Sequence, residues 1–355
     1  MTTNHRYYLD LAFKIAEINL GKTKLNPSVG SIVVKNNSVI SSGVTSPNGR
    51  PHAEFNALKK NNKFRGANLY TTLEPCTHYG LTPPCVNIIL KKGIKNVYYS
   101  FEDPDKRTFQ KAKKILRNNK INSKLIKSKN FSKFYKSYFF NKKFNLPFIS
   151  AKIAISKDYY SINKKSKWIT NKQSQKITHL LRSRNDCIFS TSKSINNDNS
   201  LLNCRIKGLE NFNPNLFTID LNLNLKKKLS INNLINYRKT YLITKKENEK
   251  KVIFLKKKGF KIIFIKSLKS KNDFKILFKY VYKLGYRRAF FETGLTFLNS
   301  LLSHKLINNL YIFKNNITLK KSGSNNSSNK YLKKIKLDKK IQINLNDDIL
   351  YKKEY

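Results

Sequence analysis

The feature that most constrains this chain is Pro51-His52-Ala53-Glu54 followed by Glu74-Pro75-Cys76-Thr77-His78-Tyr79-Gly80-Leu81-Thr82-Pro83-Pro84-Cys85. The two segments supply one imidazole, two thiols and one spare carboxylate, the set a hydrolytic zinc site needs. A catalytic zinc takes three protein ligands and leaves a fourth position for water, so His52, Cys76 and Cys85 are the expected ligands of Zn2+. Glu54 is what a purely structural site would not require. Beside the metal but not on it, a carboxylate takes a proton from water and hands it to a leaving amine, the chemistry of deamination. Local structure follows from this. Residues two apart in mid-helix point away from each other, so His52 and Glu54 serve one site only from a terminal turn, and a helix is predicted over His52 to Lys60. Ala67 to Leu73 reads as a strand delivering Glu74-Pro75-Cys76 at its end.

Spacing narrows the reading. Zinc deaminases acting on nucleic acids and nucleosides show P-C-x-x-C, whereas eight residues separate Cys76 from Cys85 here. The run P-C-x-H-x-G-x-T-P-P-C, with Asn26-Pro27-Ser28-Val29-Gly30 upstream, resembles the bifunctional riboflavin-biosynthesis deaminase/reductase family. The resemblance implies a cytidine-deaminase-like three-layer α/β domain. It also implies Asn26 at the substrate and hydrolytic deamination of the diaminopyrimidine ring of a ribosylamino-pyrimidinone 5'-phosphate. Leu81 stands where that family commonly has Arg, and Asp105 where an Asn follows the proline.

Length suggests two domains, set at 1–146 and 147–355, with the aromatic, Lys-rich stretch Phe131 to Phe144 as the boundary. Before it, Tyr8, Leu11, Ala12 and Ile15 predict an opening helix, Ser31 to Val34 a buried strand, Val97 to Phe101 a strand, and Phe109 to Asn118 a helix. Beyond it, strands are predicted at Pro147 to Ser156, Cys187 to Ser190, Leu216 to Leu221, Thr240 to Thr244, Lys261 to Ile265 and Ala289 to Phe291. Helices are predicted over Asn171 to Ser183, capped by Thr170, and Asp273 to Leu284. Ser322 to Asn329, rich in Ser and Asn, reads as a mobile loop. Alternating strands and helices imply a layered α/β domain in the first half.

The second half resembles the reductase domain of the same family, on Lys152-Ile153-Ala154-Ile155-Ser156-Lys157-Asp158, Trp168-Ile169-Thr170, Leu180-Leu181-Arg182 and Glu292-Thr293-Gly294. This implies a dihydrofolate-reductase-like fold that uses NADPH to reduce the ribosyl chain to ribityl. Carried over by position, Ser166, Arg182, Leu202, Arg205 and Glu292 fall at the substrate, with Lys152 and Glu292 orienting the sugar hydroxyls. Ala154, Trp168, Ser194, Asp198 and Gly294 fall at the dinucleotide. Two guanidiniums suit a phosphate, and Gly294 before a helix lets backbone approach a cofactor phosphate. Tyr159 occupies a position where the family has Gly, although a Tyr enters positive φ less readily.

The formal charge of +52, from 72 Lys and Arg against 20 Asp and Glu, raises a rival reading, a zinc deaminase that edits RNA. The basic residues are mostly Lys and run along the whole chain, whereas a nucleic-acid footprint gathers on one face, so no specific nucleic acid is expected. A third reading is a protein that keeps zinc for folding alone. Four cysteines give no disulfide framework. Asp10 and Glu17 interrupt the N-terminal apolar residues, so neither a signal peptide nor a membrane span is expected and the location is expected to be cytoplasmic. The partner is a small phosphorylated pyrimidine, and assembly into a homo-oligomer is left open.

Overall fold

The computed structural model describes residues 4–59, 63–210, 212–247 and 250–355. The chain divides into two compact units, Met1–Asn145 and Leu146–Tyr355, one residue from the expected division. Phe131 to Phe144 is not a linker. It belongs to the first unit and ends in its last helix, because Phe131 and Phe134 pack on the ring of Phe13 at 4.7 and 5.2 Å.

The first unit is built on strands β1 (Gly30–Lys35), β2 (Ser38–Val44), β3 (Asn68–Thr71), β4 (Asn96–Tyr99) and β5 (Asn122–Leu125), in the sheet order β2-β1-β3-β4-β5. The β1 strand is antiparallel to both neighbours, and β3, β4 and β5 run parallel. Its helices are α1 (His5–Glu17), α2 (Ala53–Leu58), α3 (Cys85–Lys91), α4 (Lys111–Asn118) and α5 (Lys136–Phe144). Strand alternation divides the layers. Ile32 and Val34 pack with Leu9 and Ala12 of α1. Val33 packs on the opposite face with Ala57, Ile89 and Leu116 of α2, α3 and α4. The glycine ending the Asn26 motif has a steric role: a Cβ on Gly30 would lie 2.0 Å from the Ala12 carbonyl oxygen, so α1 seats only over a residue without one. The helix predicted to Lys60 ends at Leu58, and Lys60 lies outside the described residues.

The second unit holds β6 (Phe148–Ile155), β7 (Ile162–Asn163), β8 (Cys187–Thr191), β9 (Asn215–Ile219), β10 (Thr240–Thr244), β11 (Lys261–Phe264), β12 (Arg288–Glu292), β13 (Asn309–Asn315), β14 (Gly323–Ser324) and β15 (Asp348–Glu354). Eight of them form one sheet, β11-β10-β9-β8-β12-β6-β13-β15, parallel except for β15. The helices are α6 (Lys172–Ser183), α7 (Ser192–Asp198), α8 (Lys250–Lys257), α9 (Lys271–Lys283), α10 (Leu295–Ser303) and α11 (Lys330–Lys333). Both faces are covered, as parallel sheets require. On one, α9 and α10 pack over Ile153, Phe189, Phe217 and Phe291. On the other, α6, α7 and α8 pack over Ile188, Leu216, Leu242 and Phe290. Phe291, Phe189, Phe217 and Tyr241 stack across four adjacent strands at 4.6, 4.7 and 4.3 Å between centroids.

Two local expectations are corrected. The cap of α6 is Asn171, not Thr170, because the Asn171 side chain accepts from the Ser174 amide. Ser322 to Asn329 is tied down rather than loose. β14 pairs with β7, the Asn325 side chain accepts from both the amide and hydroxyl of Ser161, and Asn299 donates to the Ser328 carbonyl.

Candidate active sites

In the first unit the metal-binding side chains come from two helix starts and one strand end. His52 precedes α2 in extended conformation, which leaves its imidazole outside the helix while Glu54 occupies the first turn. Cys76 follows β3, and Cys85 is the first residue of α3. His52 Nδ1 lies 3.5 Å from Cys76 Sγ and 3.4 Å from Cys85 Sγ, and the three ligand atoms all fall within 4.8 Å of one another. The Cys85 amide donates to Cys76 Sγ at 3.2 Å. One borderline nitrogen and two soft sulfurs suit zinc, and a backbone donor on a sulfur is the outer support such sites use. Hydrogen bonding from the Cys85 side chain, opposed by burial and helped by the His52 ring, holds the Cys76 thiol well below its ordinary value.

Glu54 is buried at 4% exposure beside this cluster. Burial, then the Cys76 sulfur, raises its carboxyl to about 7, the range of a group that takes and returns protons near neutrality. Asn26 lines the same pocket, donating to the Gly49 carbonyl at 2.8 Å and standing 3.4 Å from His52 Nε2. The pocket mouth is charged. Arg107 and Lys142 both bind Asp105, at 2.7 and 2.9 Å, and the Arg50 side chain donates to the Thr82 hydroxyl. Leu81 is 89% exposed and is not among the residues lining the pocket. Glu74, quoted above only as part of a motif, is a buried brace: it accepts from the amides of Asp103, Gln110 and Ala112 and so fixes the loop forming one wall.

In the second unit the site lies at the carboxyl ends of the central strands, where parallel sheets place their ligands. Lys152 of β6 and Glu292 of β12 are register partners. Lys152, Ala154, Ser166, Trp168, Arg182, Ser194, Asp198, Leu202, Arg205, Glu292 and Gly294 all line one cavity of about 730 Å³. Arg182 reaches Glu292 from α6, Nε to Oε1 at 2.5 Å and Nη2 to Oε2 at 2.9 Å, and its Nη1 donates to the Asn203 carbonyl at 2.9 Å. Despite burial, that guanidinium and Lys152 hold the Glu292 carboxyl below its ordinary value. Arg182 therefore spends three of its five N–H groups inside the protein, and Arg205, exposed at the rim with one bond to the Asn203 side chain, is the freer of the two guanidiniums. The space over Gly294, the cap of α10, is open: a Cβ there would meet only the Ser194 hydroxyl, at 3.9 Å. Trp168 is 54% exposed on the wall. The volume of the cavity, the open helix start and the flanking Ser194 fit a dinucleotide.

Two residues absent from the sequence reading help build this cavity. Buried Arg238 donates to the carbonyls of Leu202, Leu201 and Pro214 at 2.5, 2.6 and 3.2 Å, and so fixes the loop in which Leu202 takes a left-handed φ of 50°. His179, one turn before Arg182, holds the Asn203 carbonyl of the same loop. Sequence offers no signal for either, because their partners are main-chain atoms.

A His/Cys/Cys metal set beside a buried carboxylate, on a five-stranded mixed sheet, joined to a doubly covered parallel sheet with a dinucleotide-sized cavity, defines a zinc deaminase fused to a nucleotide-dependent reductase. Comparison agrees with both halves. Residues 2–101 match the cytidine and deoxycytidylate deaminase zinc-binding region, and residues 147–333 match the RibD C-terminal domain. The riboflavin biosynthesis protein RibD of Aquifex aeolicus is 32% identical over 310 residues, covering 86% of this chain and 85% of that one. A diaminohydroxyphosphoribosylamino-pyrimidine deaminase of Buchnera aphidicola is 38% identical over 144 residues, 40% of this chain and 98% of that one. The solved Acinetobacter baumannii RibD superposes with a TM-score of 0.84 at 23% identity over 98% of both chains, a likeness of fold. The chain belongs to the RibD family of bifunctional riboflavin-biosynthesis deaminase/reductases. Among the described residues no helix is long and apolar enough to cross a membrane.

Proposed function

We propose that the first unit deaminates 2,5-diamino-6-(5-phosphoribosylamino)pyrimidin-4(3H)-one and that the second reduces the ribosyl chain of the product to ribityl, in the cytoplasm. The observation that carries the first assignment is the buried Glu54 beside the His52, Cys76 and Cys85 cluster. His52, Cys76 and Cys85 hold the zinc, which when bound supplies the Lewis acidity that makes water nucleophilic near neutral pH. Glu54 takes the proton from the attacking water and delivers it to the departing amino group. Asn26 fixes the ring against this pair. With Leu81 outside the pocket lining and Asp105 clamped, Arg50 and the Arg107 and Lys142 pair supply the positive field at the mouth that draws in a phosphorylated substrate.

The second assignment is supported by the single cavity in which all eleven expected positions meet. NADPH, when bound along Ala154, Trp168, Ser194, Asp198 and Gly294, supplies the hydride. Lys152 and Glu292 orient the sugar hydroxyls, Ser166 and Leu202 shape the subsite, and Arg205 with the unshared N–H groups of Arg182 takes the phosphate. Positioning matters more here than any single acid or base. The test is to supply the deaminated intermediate with NADPH and follow cofactor oxidation; no oxidation by a folded, zinc-loaded chain removes the reductase assignment.

A further inference from the structure

The loop that carries Asn26 is held from the far end of its unit. The Gly30 amide donates to Thr72 Oγ1 at 3.1 Å, Thr72 Oγ1 lies 2.6 Å from the Tyr135 hydroxyl, and that hydroxyl donates to the Ser28 carbonyl at 3.0 Å. Each hydroxyl has a single proton to give. A carbonyl only accepts, so the Tyr135 proton goes to Ser28 and the Thr72 proton to Tyr135, which leaves a Thr72 lone pair for the Gly30 amide. Every direction in the relay is thereby settled. Both of its ends lie on one loop, and Ser28, Thr72 and Tyr135 are all buried.

Asn26 is anchored upstream by the Thr23 hydroxyl, which donates to its carbonyl at 2.7 Å, and through its own side chain on the Gly49 carbonyl. Downstream, Pro27 has a fixed φ, so the placement of the Ser28 main chain is passed back to Asn26. Among the described residues Tyr135 is the only donor to the Ser28 carbonyl. Its ring is seated edge-on against Phe101, 5.3 Å between centroids. Tyr138, three residues on and on the same helical face, donates to Asp103 Oδ1 at 2.9 Å, and Asp103 lines the same pocket as Asn26. Tyr135 thus reaches the deaminase site from outside residues 2–101, the stretch that matches the zinc-binding region. We propose that Tyr135 is a positioning residue of the deaminase: with Thr72 it fixes the Ser28 main chain and thereby holds Asn26 in place beside His52. The proposal rests on the deaminase reading given above.

The experiment measures ammonia release from the diaminopyrimidine substrate by the full, zinc-loaded chain in the wild type, Y135F, N26A and the double variant Y135F/N26A, with urea unfolding of each. Y135F removes one hydroxyl, keeps the ring and touches no metal ligand, so zinc content should be unchanged. Its kcat/KM should fall on the order of tenfold, the loss expected when a substrate-positioning group shifts by a fraction of an ångström. N26A keeps Glu54 and the zinc ligands and should retain measurable release. On that background Y135F should cost no further activity, because the group it places is gone, while its lowering of the urea midpoint should be the same in both backgrounds. A residue that serves the fold alone would instead lower activity by the same factor with or without Asn26. If Y135F does not fold, T72V takes its place: it keeps the shape of Thr72, removes the other hydroxyl of the relay, and should show the same dependence on Asn26. Wild-type kcat/KM in Y135F or T72V, or the full loss repeated on N26A, overturns the role of Tyr135. Wild-type chain that never releases ammonia instead refutes the deaminase reading beneath it.

Discussion

Arg182 and Glu292, 110 residues apart in sequence, meet as a two-pronged ion pair in the floor of the reductase cavity, with side chains only 11% and 10% exposed. Each neutralises the other where neither would otherwise tolerate burial. Removing one partner strands a buried charge, which costs about 3 to 5 kcal/mol. R182A and E292Q should therefore lower stability and abolish reduction together, while any folded fraction keeps deaminating. Denaturant titration alongside the two activity assays checks this, and loss of both activities in equal measure would contradict it.

The metal ligands make a separate prediction. C85S and H52A each leave an incomplete set of donors, so metal analysis should find zinc near one per chain in the wild type and close to none in either variant. Full zinc in C85S would remove Cys85 from the site.

Arg238 is a buried guanidinium whose three bonds all go to main-chain oxygens of one loop. Burial, then Arg182, lowers it to about 10, so it stays charged at neutral pH. R238M should strand those carbonyls and destabilise by about 3 kcal/mol. It should raise KM for the reductase substrate and leave KM for the deaminase substrate unchanged, as steady-state kinetics on each half-reaction would show.

His179 also links stability to pH. Its folded value, about 4, lies below its ordinary 6.5, so the unfolded chain binds the proton more readily. Its contribution is complete above pH 6.5 and is lost as pH falls through the folded value of about 4. H179Q should flatten the stability curve across that window relative to wild type, measured by urea unfolding at a series of pH values.

What was legible in the sequence was what local chemistry dictates. His52, Glu54, Cys76 and Cys85 sit in short motifs whose residue types have few other uses, and the apolar runs of β6, β8 and β12 announce a sheet covered on both faces. Other features depend on distant partners. β2, Ser38–Val44, carries three polar or small residues in a row and becomes a strand by pairing with β1. α3 begins inside what reads as a metal loop, at Cys85 itself. Tyr159 does adopt a left-handed φ of 65°, which costs a non-glycine residue about 1 kcal/mol or more. It is held there by Asn325 and Asn329, whose side chains donate to its carbonyl, and by Lys314 Nζ, 4.4 Å from the centre of its ring. Those residues lie more than 150 positions away, beyond any local rule.

The central claim is that one chain carries two chemistries in two independent sites, with Glu54 the proton carrier of the first. Glu54→Gln cannot shuttle protons yet leaves every zinc ligand in place. The most direct measurement follows ammonia release from the diaminopyrimidine substrate and NADPH oxidation with the deaminated intermediate, on the same zinc-loaded Glu54→Gln preparation. Ammonia release should fall by about 10²-fold or more while NADPH oxidation proceeds at the wild-type rate. Ammonia release at the wild-type rate, or loss of both reactions together in a folded protein, would contradict the account.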